Sequence, residues 1–331
     1  MNVALGPTDA EIVEALGGAL CGKTISSLRR RAYRYATSFP LDELELQLAD
    51  GQSTSLILKD LTWERLPEVA RRGKPAFLYD PGREIETYVA ILGPSGLGPR
   101  CFATRDDASG SGSWLILEKV RGVELWQVGE VAGWEAAARW VARLHARFAA
   151  SDALAANPHL LQYDVEWFLG WAARAKEGLV GSEDPRSGSV VGLLDQYEPI
   201  AERLAALPMT FVHGEYFASN ILVDVEADPP KVSPVDWEMS AVGPSLLDVA
   251  ALVTGWNHGE RERLITAYRD EVMKHKVGSR SPEEFKSGLH LCQLHFALQW
   301  IGWSPHWTAP TEHARDWLGD AVAAAKELSL L

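Results

Sequence analysis

Cysteine is scarce in this chain: three among 331 residues, Cys21, Cys101 and Cys292, far apart. They build neither a disulfide framework nor a spaced metal-binding set, and a reducing, cytoplasmic setting is expected. Positive charge is also short. Lys and Arg number 32 against 45 Asp and Glu, a formal net charge of −13, which argues against nucleic-acid binding through a general basic surface. No uninterrupted apolar run reaches membrane-spanning length, so no membrane partner is expected. The N-terminus lacks the basic and apolar regions of a signal peptide. Internal repeats and long low-complexity tracts are absent. What remains is ordinary globular composition, 47% apolar and 23% charged, in a chain long enough for two lobes.

The most informative stretch begins at residues 211–223, Phe-Val-His-Gly-Glu-Tyr-Phe-Ala-Ser-Asn-Ile-Leu-Val, and continues at 234–238, Pro-Val-Asp-Trp-Glu. Two apolar, β-rich runs flank a compact polar loop, which predicts strand–loop–strand. Glu215 and Asn220 share the loop, and Asp236 opens the turn after the second strand. Carboxylates and an amide around one point suit Mg²⁺ and phosphate, because Mg²⁺ takes hard oxygen ligands, usually one or two from protein with phosphates completing the shell.

The spacing from His213 through Glu215 to Asn220 is that of the kinase catalytic loop, His-x-Asp-x-x-x-x-Asn, followed by a metal-binding Asp. With Gly243-Pro244 and Leu247-Asp248-Val249-Ala250 downstream, the stretch resembles the aminoglycoside phosphotransferase and choline kinase-like family. One departure stands out: Glu215 occupies the position of the family's catalytic Asp. The resemblance implies an α+β, bilobal protein kinase-like fold. Residues 1–119 would form an N-terminal lobe with an antiparallel sheet, and 120–331 a mainly helical C-terminal lobe with the catalytic loop and acceptor site.

Towards the N-terminus, Thr8-Asp9-Ala10-Glu11 reads as a capping box at a helix start. Residues 17–24, Gly-Gly-Ala-Leu-Cys-Gly-Lys-Thr, formally satisfy the Walker A pattern. A working phosphate loop follows a strand and opens a helix. Here an amphipathic helix precedes the match and a strand follows, so Lys23 reads as a surface lysine. Residues 25–58 alternate as an antiparallel sheet, with Asp50-Gly51 as a hairpin turn. Lys59 ends the third strand. In the family such a lysine neutralises nucleotide phosphates and pairs with a helix glutamate. Glu84 is expected to be that partner, ahead of Glu86, on a helix starting at Pro81 whose apolar face is Ile85, Tyr88, Val89 and Leu92. No glycine-rich flap lies between the first two strands; Ser38 in that loop is a candidate phosphate contact through its hydroxyl or amide, with a plain loop serine as the alternative. Arg29, Arg30 and Arg31 read as a solvated strand face.

Residues 114–120 read as a buried strand, and the resemblance makes it the hinge, where backbone groups of Glu118 and Val120 would read adenine. Beyond Gly133 the period is helical. His145 lies on an apolar stripe and reads as a packing or capping residue. His290, Cys292 and His295 read as core rather than metal ligands, since His290 and His295 do not share a helical face. Asp248 is expected to accept backbone hydrogen bonds from the His213 loop.

The activity implied is transfer of the γ-phosphoryl group from ATP, with GTP as the alternative donor, to a hydroxyl of a small molecule resembling an aminoglycoside, amino alcohol or sugar. Lys59 and Glu84 would serve the nucleotide, and Asn220 and Asp236 would hold Mg²⁺. Glu215 would orient the acceptor and His213 would brace the loop. Glu238 is left without a role, and no oligomeric state is read. Two other readings stand beside this one: a catalytically silent nucleotide-binding protein, for which Glu215 speaks, and a peptide Ser/Thr kinase of natural-product biosynthesis.

Overall fold

The computed structural model describes residues 6–20, 22–33, 39–107, 112–149, 151–275, 281–303 and 315–331. Contacts divide the chain into two compact units, Met1–Arg121 with Ser233–Glu238, and Gly122–Val232 with Met239–Leu331.

The first unit is built on strands β1 (Ile25–Ala32), β2 (Leu41–Leu48), β3 (Ser53–Asp60), β4 (Cys101–Arg105) and β5 (Trp114–Glu118). They form a five-stranded antiparallel sheet in the order β1-β2-β3-β5-β4. Strand periodicity sorts the side chains. Leu44, Leu46, Leu56, Leu58, Trp114 and Ile116 face one core, and helix α1 (Asp9–Leu16) closes it with Ile12 and Leu16. The expected capping box starts α1, with Thr8 and Glu11 bonded reciprocally. The other face of the β1–β2 ladder carries charge, with Arg29 and Arg31 set against Glu43 and Glu45. Residues 17–24 therefore lie between α1 and β1. Lys23 is half-exposed and paired with Asp50 at 3.0 Å, so the Walker A match has no phosphate-loop geometry.

Helix α2 (Glu68–Gly73) and helix α3 (Pro81–Glu86) follow β3. Pro81 sits in the first turn of α3, where its missing N–H costs no hydrogen bond. The helix then widens into a π-helical turn, Thr87–Leu92. This shifts the expected apolar face. Tyr88, Ile91 and Leu92 are buried, but Val89 is 50% exposed, because wider i→i+5 winding rotates the positions after Tyr88.

In the second unit the long helices are α4 (Val131–Arg147), α5 (Val165–Leu179), α6 (Leu246–Leu252), α7 (His258–Lys274) and α8 (Pro282–Trp303). Helix α8 packs on α5 and α6, and α7 on α4. Two small three-stranded sheets lie among them. One runs Lys231–Pro234, Ile221–Asp224, Val123–Glu124. The other places Ala241–Pro244 between Leu161–Gln162, parallel, and Met209–Val212, antiparallel. Its strand Met209–Val212 leads directly into His213. Among the described residues, no helix is long and apolar enough to cross a membrane.

Candidate active site

Lys59 ends up buried because it sits one residue before the end of β3, on the face opposite Leu58. Its Nζ lies 2.8 Å from Glu84 Oε1 and 2.7 Å from Oε2. The same nitrogen donates to Asp236 Oδ1 at 2.8 Å. Burial works against the ammonium, but Asp236 and Glu84 outweigh it and hold the Lys59 pKa above the ordinary lysine range. Burial pushes the Glu84 carboxyl above its usual value, opposed by the Lys59 charge. Glu84 Oε1 also accepts the backbone N–H of Trp237 at 3.2 Å. Asp236 itself is left-handed, with φ 64°, an uncommon conformation that Asp tolerates better than most side chains.

One ammonium thus stands between two carboxylates. Asp236 is the more open carboxylate, 29% exposed at the side chain against 2% for Glu84. Its hard oxygens fit Mg²⁺ with phosphate. Among the described residues there is no cluster of three or more His, Cys, Asp or Glu that could hold a metal ion.

The second group of predicted residues gathers around the His213 loop. Asp248, on α6, accepts the N–H of His213 at 2.8 Å through Oδ2 and that of Gly214 at 2.9 Å through Oδ1. Gly214 has φ 83°, and a Cβ there would meet the Met239 carbonyl oxygen at 2.2 Å, so only glycine fits. The N–H of Glu215 donates to His213 Nδ1 at 3.3 Å. Asn220 Nδ2 donates to the Glu215 carbonyl at 3.0 Å, which leaves its amide oxygen as the atom suited to a cation. Tyr216, next in the loop, is fully buried and bonds the Ala137 carbonyl of α4 at 3.0 Å.

Sequence reasoning missed part of this support. His145 is more than packing: Nε2 lies 3.1 Å from Asp248 Oδ2, and Nδ1 lies 2.9 Å from the Tyr268 hydroxyl. The Asp248 carboxylate accepts, so Nε2 faces it as an N–H, and Nδ1 shares a hydrogen bond with the Tyr268 hydroxyl. Helical spacing marked His145 as buried, but Tyr268 comes from α7, 123 residues later, and no local pattern announces it. Of the remaining predicted residues, Ser38 lies outside the described residues. Glu118 closes β5, and its N–H is already given to the Arg100 carbonyl at 2.8 Å. Val120, half-buried, lies beyond the strand end.

Residues 46–273 match the model of the phosphotransferase enzyme family, APH. The chain belongs to this family. It is thus a phosphotransferase, and its fold is protein kinase-like. A choline kinase from Cryptosporidium parvum Iowa II is similar over 92% of this chain and 88% of its own, with 12% identity and a TM-score of 0.58. The macrolide 2′-phosphotransferase MphH from Brachybacterium faecium is similar over 96% and 98%, with 17% identity and a TM-score of 0.55. The GDP complex of wild-type aminoglycoside 2′-phosphotransferase-IIIa is similar over 97% and 98%, with 11% identity and a TM-score of 0.54. No curated protein matches the sequence.

Proposed function

We propose that this phosphotransferase moves the γ-phosphoryl group of ATP, or of GTP, to a hydroxyl of a small molecule. The observation that carries the proposal is Lys59 held between Glu84 and Asp236, 2.8 Å from an oxygen of each. A buried cation fixed by one carboxylate and shared with a more exposed one is suited to nucleotide phosphates beside a metal ion. The unit containing Lys59 would be the nucleotide lobe, with Glu118 and Val120 near the base and Ser38 near the phosphates. The unit containing Glu215 would receive the acceptor.

Asp236 and the amide oxygen of Asn220 would hold Mg²⁺, which when bound neutralises charge on the phosphates. Glu215 orients the acceptor hydroxyl and takes its proton. His213 and Asp248 keep the loop in one conformation, and positioning of that kind supplies much of the catalysis where the transition state is loose. The GDP complex among the similar structures supports testing GTP alongside ATP, and the choline kinase and macrolide phosphotransferase support hydroxyl acceptors as the substrate class.

Glu215 also favours a second reading, a nucleotide-binding protein without turnover, since glutamate displaces the carboxylate by about 1.5 Å on an unchanged backbone and ~1 Å can cost ~10²-fold in rate. A transfer screen with ATP and GTP across aminoglycosides, macrolides, amino alcohols, sugars and nucleosides separates the two. Phosphorylation of an acceptor supports the kinase, and tight Mg–nucleotide binding with no acceptor phosphorylated supports the silent protein.

A further inference from the structure

Glu238 lies two residues beyond Asp236 and has the chemistry of a second metal ligand. The structure engages it elsewhere. Its carboxylate pairs with the ammonium of Lys74, the residue just after α2, and the two side chains are only 13% and 6% exposed. The same ammonium lies 4.5 Å from the centre of the Phe39 ring, a face that attracts a cation. The Glu238 backbone is held as well. Its carbonyl accepts from Arg83 Nη1 at 2.9 Å, and that nitrogen also bonds the Leu78 carbonyl at 2.8 Å. One residue earlier, the Trp237 N–H is taken by Glu84, and one before that Asp236 meets Lys59. Three successive residues are therefore each tied to a different point between Lys59 and Glu84. The first of them, Asp236, has φ 64°, and such a backbone persists where its surroundings fix it.

Resting on the kinase reading, we infer that Lys74 is a positioning residue: its ion pair with Glu238 latches the 236–238 segment so that Asp236 keeps its left-handed conformation beside Lys59. The pair also withdraws Glu238 from metal binding, leaving Asp236 as the carboxylate of this segment that meets Mg²⁺. A buried ion pair suits a latch, because loss of either partner leaves an uncompensated charge.

Four variants test the latch: Lys74→Met, Glu238→Gln, Lys74→Arg and the double Lys74→Met, Glu238→Leu. Two readouts are taken, hydrogen exchange of the Trp237 amide in the nucleotide-free protein, and calorimetric binding of a non-hydrolysable ATP analogue with and without Mg²⁺. Each single loss should speed Trp237 exchange by about tenfold or more and reduce the Mg²⁺-dependent gain in affinity by about tenfold. The double should exchange faster than wild type but no faster than the more affected single, and Lys74→Arg should stay near wild type. If a single variant fails to fold, the double decides, since its apolar pair replaces the charges together, and wild-type exchange there overturns the latch. Loss of the Mg²⁺ effect in Glu238→Gln with Lys74→Met unchanged would make Glu238 a metal ligand and end the proposal. Wild-type protein that binds no nucleotide would defeat the kinase reading, and the exchange arm would still judge the latch.

Discussion

The carboxylate of Asp248 takes the backbone N–H of His213 at 2.8 Å, across 35 residues of sequence. The contact ties helix α6 to the loop that carries Glu215. With Gly214 as a second donor and His145 as a third, Asp248 engages both oxygens and is fully buried. In Asp248→Asn the new NH₂ group must face one of these donors. One buried N–H then loses its acceptor, at a cost of about 2–3 kcal/mol. The urea midpoint should fall accordingly, and turnover should fall with it. An unchanged midpoint would show that the loop does not depend on this residue.

Glu215 is tested by two substitutions. Glu215→Gln keeps size and removes the base, so turnover should drop by about 10²-fold while Mg–nucleotide affinity, measured by calorimetry, stays near wild type. That split marks an interaction made mainly in the transition state. Glu215→Asp withdraws the carboxylate by about 1.5 Å, so in a loop fitted to glutamate it should also lose activity. A Gln variant as fast as wild type would remove Glu215 from proton transfer.

How much of this was legible beforehand follows from how local each feature is. The hairpin at Asp50-Gly51, the α1 cap and the strand ending in Lys59 are written in short stretches, and they form as expected. The Asp248 contact was legible because the loop and the helix carry a recognisable pattern. Val89 was misplaced because a π-turn is decided by packing, not by apolar spacing. Lys74, Arg83 and Tyr268 went unnoticed for a related reason. Each works through a partner far away in sequence, Glu238 for the first two and His145 for the third, and a lone lysine, arginine or tyrosine looks like any other.

His295 gives a pH prediction free of the active-site chemistry. It lies on α8, fully buried, edge-on to Phe168 with ring centres 4.7 Å apart. Burial pushes its pKa down to about 3 from an ordinary 6.5. The folded protein thus keeps His295 neutral while the unfolded chain protonates first. Its contribution is complete above pH ~6.5 and is lost towards pH ~3, with a slope of about 1.4 kcal/mol per pH unit between. Urea unfolding of wild type and His295→Leu at pH 7.5, 6 and 5 should show a flatter dependence in the variant. Equal slopes would mean that His295 takes its proton in the fold.

The central claim is phosphoryl transfer through the Lys59–Asp236 pair, and label transfer measures it most directly. Wild type, Lys59→Met and Asp236→Asn are each incubated with Mg²⁺ and γ-labelled ATP or GTP over the acceptor panel, and label on the acceptor is counted. The account predicts transfer to at least one hydroxyl acceptor by wild type and at least about 10²-fold less by either variant. Nucleotide bound tightly by wild type with no acceptor labelled, or equal labelling by Lys59→Met, would contradict it.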